Sequence, residues 1–317
     1  MFLKIKNILS SLMSNLVIFY LIPYKKKCYI TCSGKTDGLG AQTQAIYSAL
    51  LYAAVHKISY CHTPLNEIAH NYSQDSSFSA TAERFFSFSK GEKSIRDLNH
   101  NHLIINLDFI TFRSIKLLIQ YLFRSDMKVV FEKSHFHNYT NKISPKYTLI
   151  KKSLQDKFYT NQKPILVNHD STVLNIAFHI RRGDVNQADI ARFTDNERIF
   201  STLQTITYHL NQKEIAYKLS IYSQGKKEDF GNLSSLATLY LNGNVFEDFH
   251  HLVKADVLFM AKSSFSYSAA LLSDGLIVYE PFWHPPLNEW LLYEDNERFI
   301  NLLSEKIHTL HTKNINA

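Results

Sequence analysis

Short apolar runs alternate along this chain with longer stretches whose apolar residues fall at helical spacing. Residues 28–32 predict a first β-favouring strand, 33–40 a glycine-rich turn, and 44–56 a helix carrying Ala, Ile, Leu and Tyr. Strand, glycine turn and helix together open an α/β unit. Further strands are predicted at 103–107 and 128–131, with a helix near 115–123 between them. Residues 62–97 are polar and irregular and read as loops and short helices. The stretch 151–167, with Pro164 inside it, reads as the junction between domains. After it the rhythm sharpens, with strands at 173–178, 218–223, 257–260 and 276–279. Helices fall at 196–210, from 249, and at 266–272.

The pattern predicts an α/β protein of two open Rossmann-type domains facing a cleft. The expected segments are an N-terminal apolar helix at 1–26, one α/β domain at 27–165 and a second at 166–317. A length of 317 residues suits two domains of roughly 150 residues each. Ligands of doubly wound sheets bind beyond the carboxyl ends of strands, and polar clusters sit there. His179 to Asp184 leaves one strand, Ser223-Gln224-Gly225-Lys226 the next and Lys262-Ser263-Ser264 a third.

Charge narrows the partner. The formal net charge of +7 implies an anionic ligand, membrane surface or nucleic acid. Lys25-Lys26-Lys27 is the only run of three basic residues and no basic block carries interleaved aromatics, so nucleic acid is set aside. Cys28, Cys32 and Cys61 form neither a disulfide framework nor a CxxC pair, and read as core thiols in a reducing compartment. Residues 7–24 carry no charge and lie between Lys4, Lys6 and the lysine triplet. They read either as a helix at an anionic membrane surface or as a helix packed on the body. Without a cleavable signal, the expected location is cytoplasmic, peripheral on a bacterial inner membrane.

Consecutive arginines directly after an apolar strand invite two readings. One is a pair of solvated charges with Asp184 as partner. The other is phosphate binding, since the guanidinium fork fits phosphate oxygens and Gly183 admits close backbone approach. No Asp-x-Asp pair occurs to hold a divalent ion against a diphosphate, so no metal and no cofactor are expected. His250-His251 would diverge from a helix and read as surface groups or as supports behind the site.

His179-Ile180-Arg181-Arg182-Gly183-Asp184 resembles the His-x-Arg-Arg-x-Asp motif of the α1,2-, α1,6- and protein O-fucosyltransferase superfamily. Asp248-Phe249-His250-His251-Leu252-Val253-Lys254-Ala255-Asp256 is similar to that group's Asp-x-His-x-Leu-x-x-Ala-Asp segment, and it runs through a strand into Ser263-Ser264. Gly38-Leu39-Gly40-Ala41-Gln42 is similar to its Gly-x-Gly-Asn-Gln turn, with Ala41 in place of Asn. The resemblance implies a GT-B-like fold with the donor bound mainly by the C-terminal domain. It implies an inverting, metal-independent transfer of fucose from GDP-fucose to a glycan acceptor in surface polysaccharide synthesis.

On that basis His179 and Asp248 contact the guanine nucleoside, Arg181 the diphosphate and Ser264 the β-phosphate from the start of its helix, with Ser263 also in the donor set. Gly38, Gly40 and Gln42 complete the donor set with Arg182 and Asp184, and Arg182 is alternatively a brace acting through Asp184. Asp189, ten residues after His179, takes the position of the family's proposed base, its other reading being a helix cap or loop carboxylate. His62, Asn71, His284 and Trp290 are open to two readings, an acceptor groove or structural roles. Two rivals remain: the same fold with another nucleotide-sugar donor, and a non-catalytic nucleotide- or glycan-binding module.

Overall fold

The computed structural model describes residues 28–71, 74–98, 102–107, 112–122, 128–134, 146–294 and 296–315. The N-terminal apolar run, the lysine triplet and Phe123 lie outside the described residues. Among the described residues no helix is long and apolar enough to cross a membrane. The chain divides into two compact units, 1–161 and 162–317.

The first unit contains β1 (Cys28–Thr31), α1 (Leu39–His56), β2 (Ser59–His62), α2 (Phe78–Phe86), β3 (Lys93–Ser94), β4 (His102–Asn106), α3 (Phe112–Leu122), β5 (Lys128–Glu132) and α4 (Thr148–Phe158). Its strands form a parallel sheet in the order β3-β2-β1-β5-β4. In register, Tyr29 lies beside Ser59 on one side and Val130 on the other. α1 starts at Leu39, not at residue 44, so it absorbs the end of the predicted glycine turn. It is buried from Leu39 to Ala53 at nearly every position, and its Ala, Ser and Thr side chains suit close packing. The polar stretch 62–97 contains α2, whose Phe85 and Phe86 pack edge-on at 4.9 Å and meet Phe158 of α4.

The second unit contains β6 (Leu174–His179), α5 (Asn196–Gln212), β7 (Tyr217–Ser223), a 3-10 helix (Lys227–Ser235), β8 (Thr238–Leu241), α6 (Val245–Lys254), β9 (Val257–Phe259), α7 (Ser264–Leu272), β10 (Leu276–Tyr279), β11 (Leu291–Leu292) and α8 (Glu297–Ile315). Six parallel strands lie in the order β11-β10-β9-β6-β7-β8. Counted from β6, this is the Rossmann order, and the winding reverses between β6 and β9.

Strand alternation sorts the residues of β6. Ile176 and Phe178 enter the main core with Ile199, Leu203 and Ile206 of α5 and Phe299 and Leu303 of α8. Phe178 stacks on Phe259 of β9 with ring centroids 3.9 Å apart, and each fully buried Phe contributes roughly 2–3 kcal/mol. His179, the next residue, therefore faces the opposite side. There it meets α7, its ring 5.5 Å from that of Phe265.

Candidate functional site

Three segments of the second unit converge at the reversal point. The first is the exit of β6. Gly183 there has φ +81°, so the backbone favours glycine, and a Cβ would lie 2.5 Å from the end of the Gln224 side chain, which would have to swing aside. The second is the start of α7, where Ser263 is the N-cap and accepts from the Phe265 N–H at 3.2 Å. The third is α6, capped by Asn244, which accepts from the N–H groups of Phe246 and Glu247. Phe265 ties the three together, packing at 5.5 Å on His179 and at 5.3 Å on Phe249 of α6.

His179 Nδ1 is shielded from solvent and has no hydrogen-bond partner. Burial, reinforced by the Arg181 charge, pushes its pKa down to about 3, so the imidazole is neutral at physiological pH. Arg181 forms a bidentate pair with Asp184, Nε to Oδ1 at 3.2 Å and Nη2 to Oδ2 at 2.7 Å. Asp248 is half-buried in the first turn of α6. Burial, and then the neighbouring Glu247 charge, push its carboxyl up to about 7. Ser264, the first residue of α7, has its Oγ 3.4 Å from His284 Nε2.

The two arginines take opposite roles. Arg182 is buried and donates to the Arg181 carbonyl at 2.9 Å, the Thr194 carbonyl at 2.9 Å and Asn196 Oδ1 at 2.7 Å. It also lies over the Phe193 ring at 4.1 Å. Burial lowers its pKa to about 10, which leaves it charged. Asp184 pairs with Arg181, so the brace expected from Arg182 through Asp184 runs instead to residues 194–196. Asp189 sits in the turns between Asp184 and Thr194, with Oδ2 3.6 Å from Arg192 Nε.

His250 and His251 are buried rather than at the surface. His250 Nδ1 is 3.1 Å from the Pro164 carbonyl, and His251 stacks on Tyr222 at 5.4 Å. Burial pushes both pKa values down to about 4. Asp256 closes the same motif by accepting from the Asn175 backbone N–H at 2.8 Å. Among the described residues no cluster of His, Cys, Asp or Glu could hold a metal ion.

In the first unit, Gly38 caps α1 and bridges to Ala69, where a Cβ would crowd His70 at 3.1 Å. Gly40 is buried as the second residue of α1. Gln42 is buried, with Nε2 donating to the carbonyls of Asp37 and Glu67, each at 2.7 Å. Its amide thus pins two loops. His62 is buried between Tyr60 Oη at 3.1 Å and Glu83 Oε2 at 2.9 Å. Asn71 donates to the Asp75 carbonyl. In the second unit, Trp290 packs at 5.0 Å on Tyr267.

Glu280, which the sequence reading passed over, leaves β10 at the same sheet end. It is buried, and Oε1 accepts from Arg198 at 2.8 Å with Lys262 at 3.8 Å. Its Oε2 is buried without a partner. Burial raises its pKa although Arg198 and Lys262 oppose the shift. The signal was present, since a charged residue follows the buried run Leu276–Tyr279 just as His179 and the arginines follow β6.

No protein-family model matches the chain, and no curated protein matches it. Among solved structures, E. coli heptosyltransferase WaaC with ADP aligns with TM-score 0.42 and 12% identity, over 90% of this chain and 99% of that chain. POFUT1 in complex with GDP aligns with TM-score 0.38 and 10% identity, over 78% and 95% of the two chains. NodZ alpha-1,6-fucosyltransferase soaked with GDP-fucose aligns with TM-score 0.34 and 10% identity, over 81% and 96%. These likenesses are weak, and the α/β assignment stands on the strand order and register of the chain itself.

Proposed function

We propose that this chain is a glycosyltransferase that binds a nucleoside diphosphate sugar at the exits of β6 and β9, with GDP-fucose as donor and a glycan as acceptor. The observation that carries the reading is the packing of His179 on Phe265 at the α7 N-terminus, with the Arg181 charge acting on His179, at the reversal point of a Rossmann-ordered sheet. A helix N-terminus attracts phosphate through unpaired N–H groups and its dipole. The Arg181 fork, now on Asp184, has the geometry to take diphosphate oxygens instead. The unpartnered His179 Nδ1 and the Asp248 carboxyl are the polar groups left for the nucleoside. The fucose assignment rests on the ordered motifs of the sequence.

In the proposed reaction an acceptor hydroxyl oxygen attacks the anomeric carbon as the bond to the diphosphate oxygen breaks. The leaving GDP carries the electron pair, and the hydroxyl proton passes to a carboxylate, nominated as Asp189. Arg181 and the α7 N-terminus stabilise the leaving diphosphate, the task a divalent ion performs elsewhere. Arg182 and Gln42, with their bonds directed inward, serve as braces in this scheme.

Calorimetric titration with GDP, UDP and ADP in the presence of a chelator tests the proposal. Selective GDP binding is the expected result. Preference for UDP overturns fucose as the donor sugar. Binding to none of the three overturns the transferase reading in favour of a module without a nucleotide site. The inward-turned amide of Gln42 and the Ala41 substitution are the observations that favour that second reading.

A further inference from the structure

Trp283 stands out in the loop after β10. It is 49% exposed, whereas most large apolar side chains of this unit are buried. It is also held in place. Its indole Nε1–H donates to His284 Nε2 at 3.0 Å, and His284 is buried at 2% exposure. The same His284 nitrogen lies 3.4 Å from Ser264 Oγ, at the helix start assigned above to the donor. Phe282 packs against the indole at 5.0 Å, and the Arg192 guanidinium lies over it at 5.5 Å.

The neighbouring segment is fixed with equal care. Lys262 Nζ donates to the carbonyls of Ile190 and Phe193, at 3.3 and 3.0 Å. Arg182 stacks on Phe193 and holds Thr194. Arg192 in turn pairs with Asp189 at 3.6 Å. An exposed indole, a guanidinium and a carboxylate are therefore linked in one row and anchored from below at both ends. The indole's only donor is spent on His284 and Arg192 lies over one face, so what it offers a ligand is the apolar ring surface that remains exposed. Asp189 offsets the Arg192 charge, so the row suits a neutral ligand better than an anion.

We infer that Trp283, Arg192 and Asp189 form the acceptor platform of the enzyme and take a neutral pyranose ring. A pyranose has an apolar C–H face for the indole, and hydroxyls around its rim for the carboxylate and guanidinium. Preorganisation lowers the entropy lost on binding, and the anchored row supplies it. The inference rests on the glycosyltransferase reading and adds to it the residues that seat the acceptor. Asp189 then lies beside the bound sugar, where a proton acceptor is required.

The chain has two tryptophans, so Trp290→Phe leaves Trp283 as the sole indole reporter. Titrating this variant with methyl β-galactoside, methyl β-glucoside and methyl α-mannoside should produce saturable quenching by at least one glycoside. Saturation-transfer NMR with the same glycoside should then show about tenfold weaker binding in Trp283→Ala. Trp283→Phe should retain part of the affinity, and calorimetric GDP affinity should be unchanged in both variants. Absence of quenching by every glycoside overturns the platform. Quenching by GDP alone, with weakened GDP binding in Trp283→Ala, also overturns it and assigns the indole to the nucleotide base. Loss of GDP binding in the wild-type protein sinks the donor proposal instead, and the glycoside titration reads the platform independently of it.

Discussion

The two sheets present very different polar groups at their carboxyl ends. Beyond β1, the groups answer one another: Ser33 donates to Glu132, Lys35 pairs with Asp37, and Gln42 holds two carbonyls. Beyond β6 and β10, His179 Nδ1 and Glu280 Oε2 are buried with no partner, and Asp248 carries a carboxyl raised to about 7. A buried polar atom left unsatisfied costs roughly 1–3 kcal/mol. Such a cost is retained where a ligand supplies the missing bond. Thr43 Oγ1 inside α1 is likewise buried without a partner, so the contrast is one between the two sheet ends, and on the proposed reading it marks the second as the ligand-binding one.

The strongest way to break this contrast is Arg181→Ala. Truncating the guanidinium should weaken GDP binding about a hundredfold, because a charge-assisted contact to the diphosphate is lost. The half-exposed Arg181–Asp184 pair contributes little to stability, so the melting temperature should hardly move. Calorimetry and a melting curve read both, and unchanged GDP affinity would remove Arg181 from the site.

Next in size is Gly183→Ala. The φ of +81° and the 2.5 Å approach to Gln224 should together cost about 2 kcal/mol or more in denaturant unfolding. Adding Gln224→Ala should recover only the part due to the clash. Full recovery would show that the backbone conformation carries no strain.

Gln42→Ala tests the other side of the comparison. Losing two inward bonds should cost the first unit about 1–2 kcal/mol and leave GDP affinity unaltered. Weaker GDP binding at unchanged stability would return Gln42 to the donor set.

The smallest expected effect is a pH dependence at Asp248. Its folded pKa of about 7 exceeds the unfolded value of 3.8. The stability this group contributes is therefore present below 3.8 and is lost as pH rises through about 7. Asp248→Asn should melt a few degrees above wild type at pH 8 and show no such gain below pH 3.8. If the carboxylate accepts from the base, wild-type GDP affinity should also fall as pH drops below 7, and this dependence should vanish in the variant.

Much of the second unit is legible in the chain because its strands are buried runs that end in charged or polar residues. β6, β7, β9 and β10 are readable that way to within a residue or so. β2 is not, because its Tyr60 and His62 look polar and become core residues only through each other and Glu83, 21 positions after His62. α8 lies beyond the last strand read, although Phe299, Leu303 and Ile307 recur every four residues. β11 is only two residues long, and β8 opens on an exposed Thr and has no fully buried position, so neither stands out. At the site, residue identities are readable but partners are not. Nothing local distinguishes Arg181 from Arg182, and only the distant Thr194 and Asn196 turn one of them inward.

The pairing of β6 with β9 has a kinetic consequence. Ile176 lies beside Val257, and Asn175 bonds to Asp256 across 81 positions of chain. Contacts this far apart in sequence form slowly, since the intervening loop must close before any gain is realised. β6 can find β7 early through α5, whereas the cradle around Phe265 exists only after β9 has docked. If the proposed site takes GDP, its capture during refolding should therefore lag the recovery of helical signal and report the completed sheet.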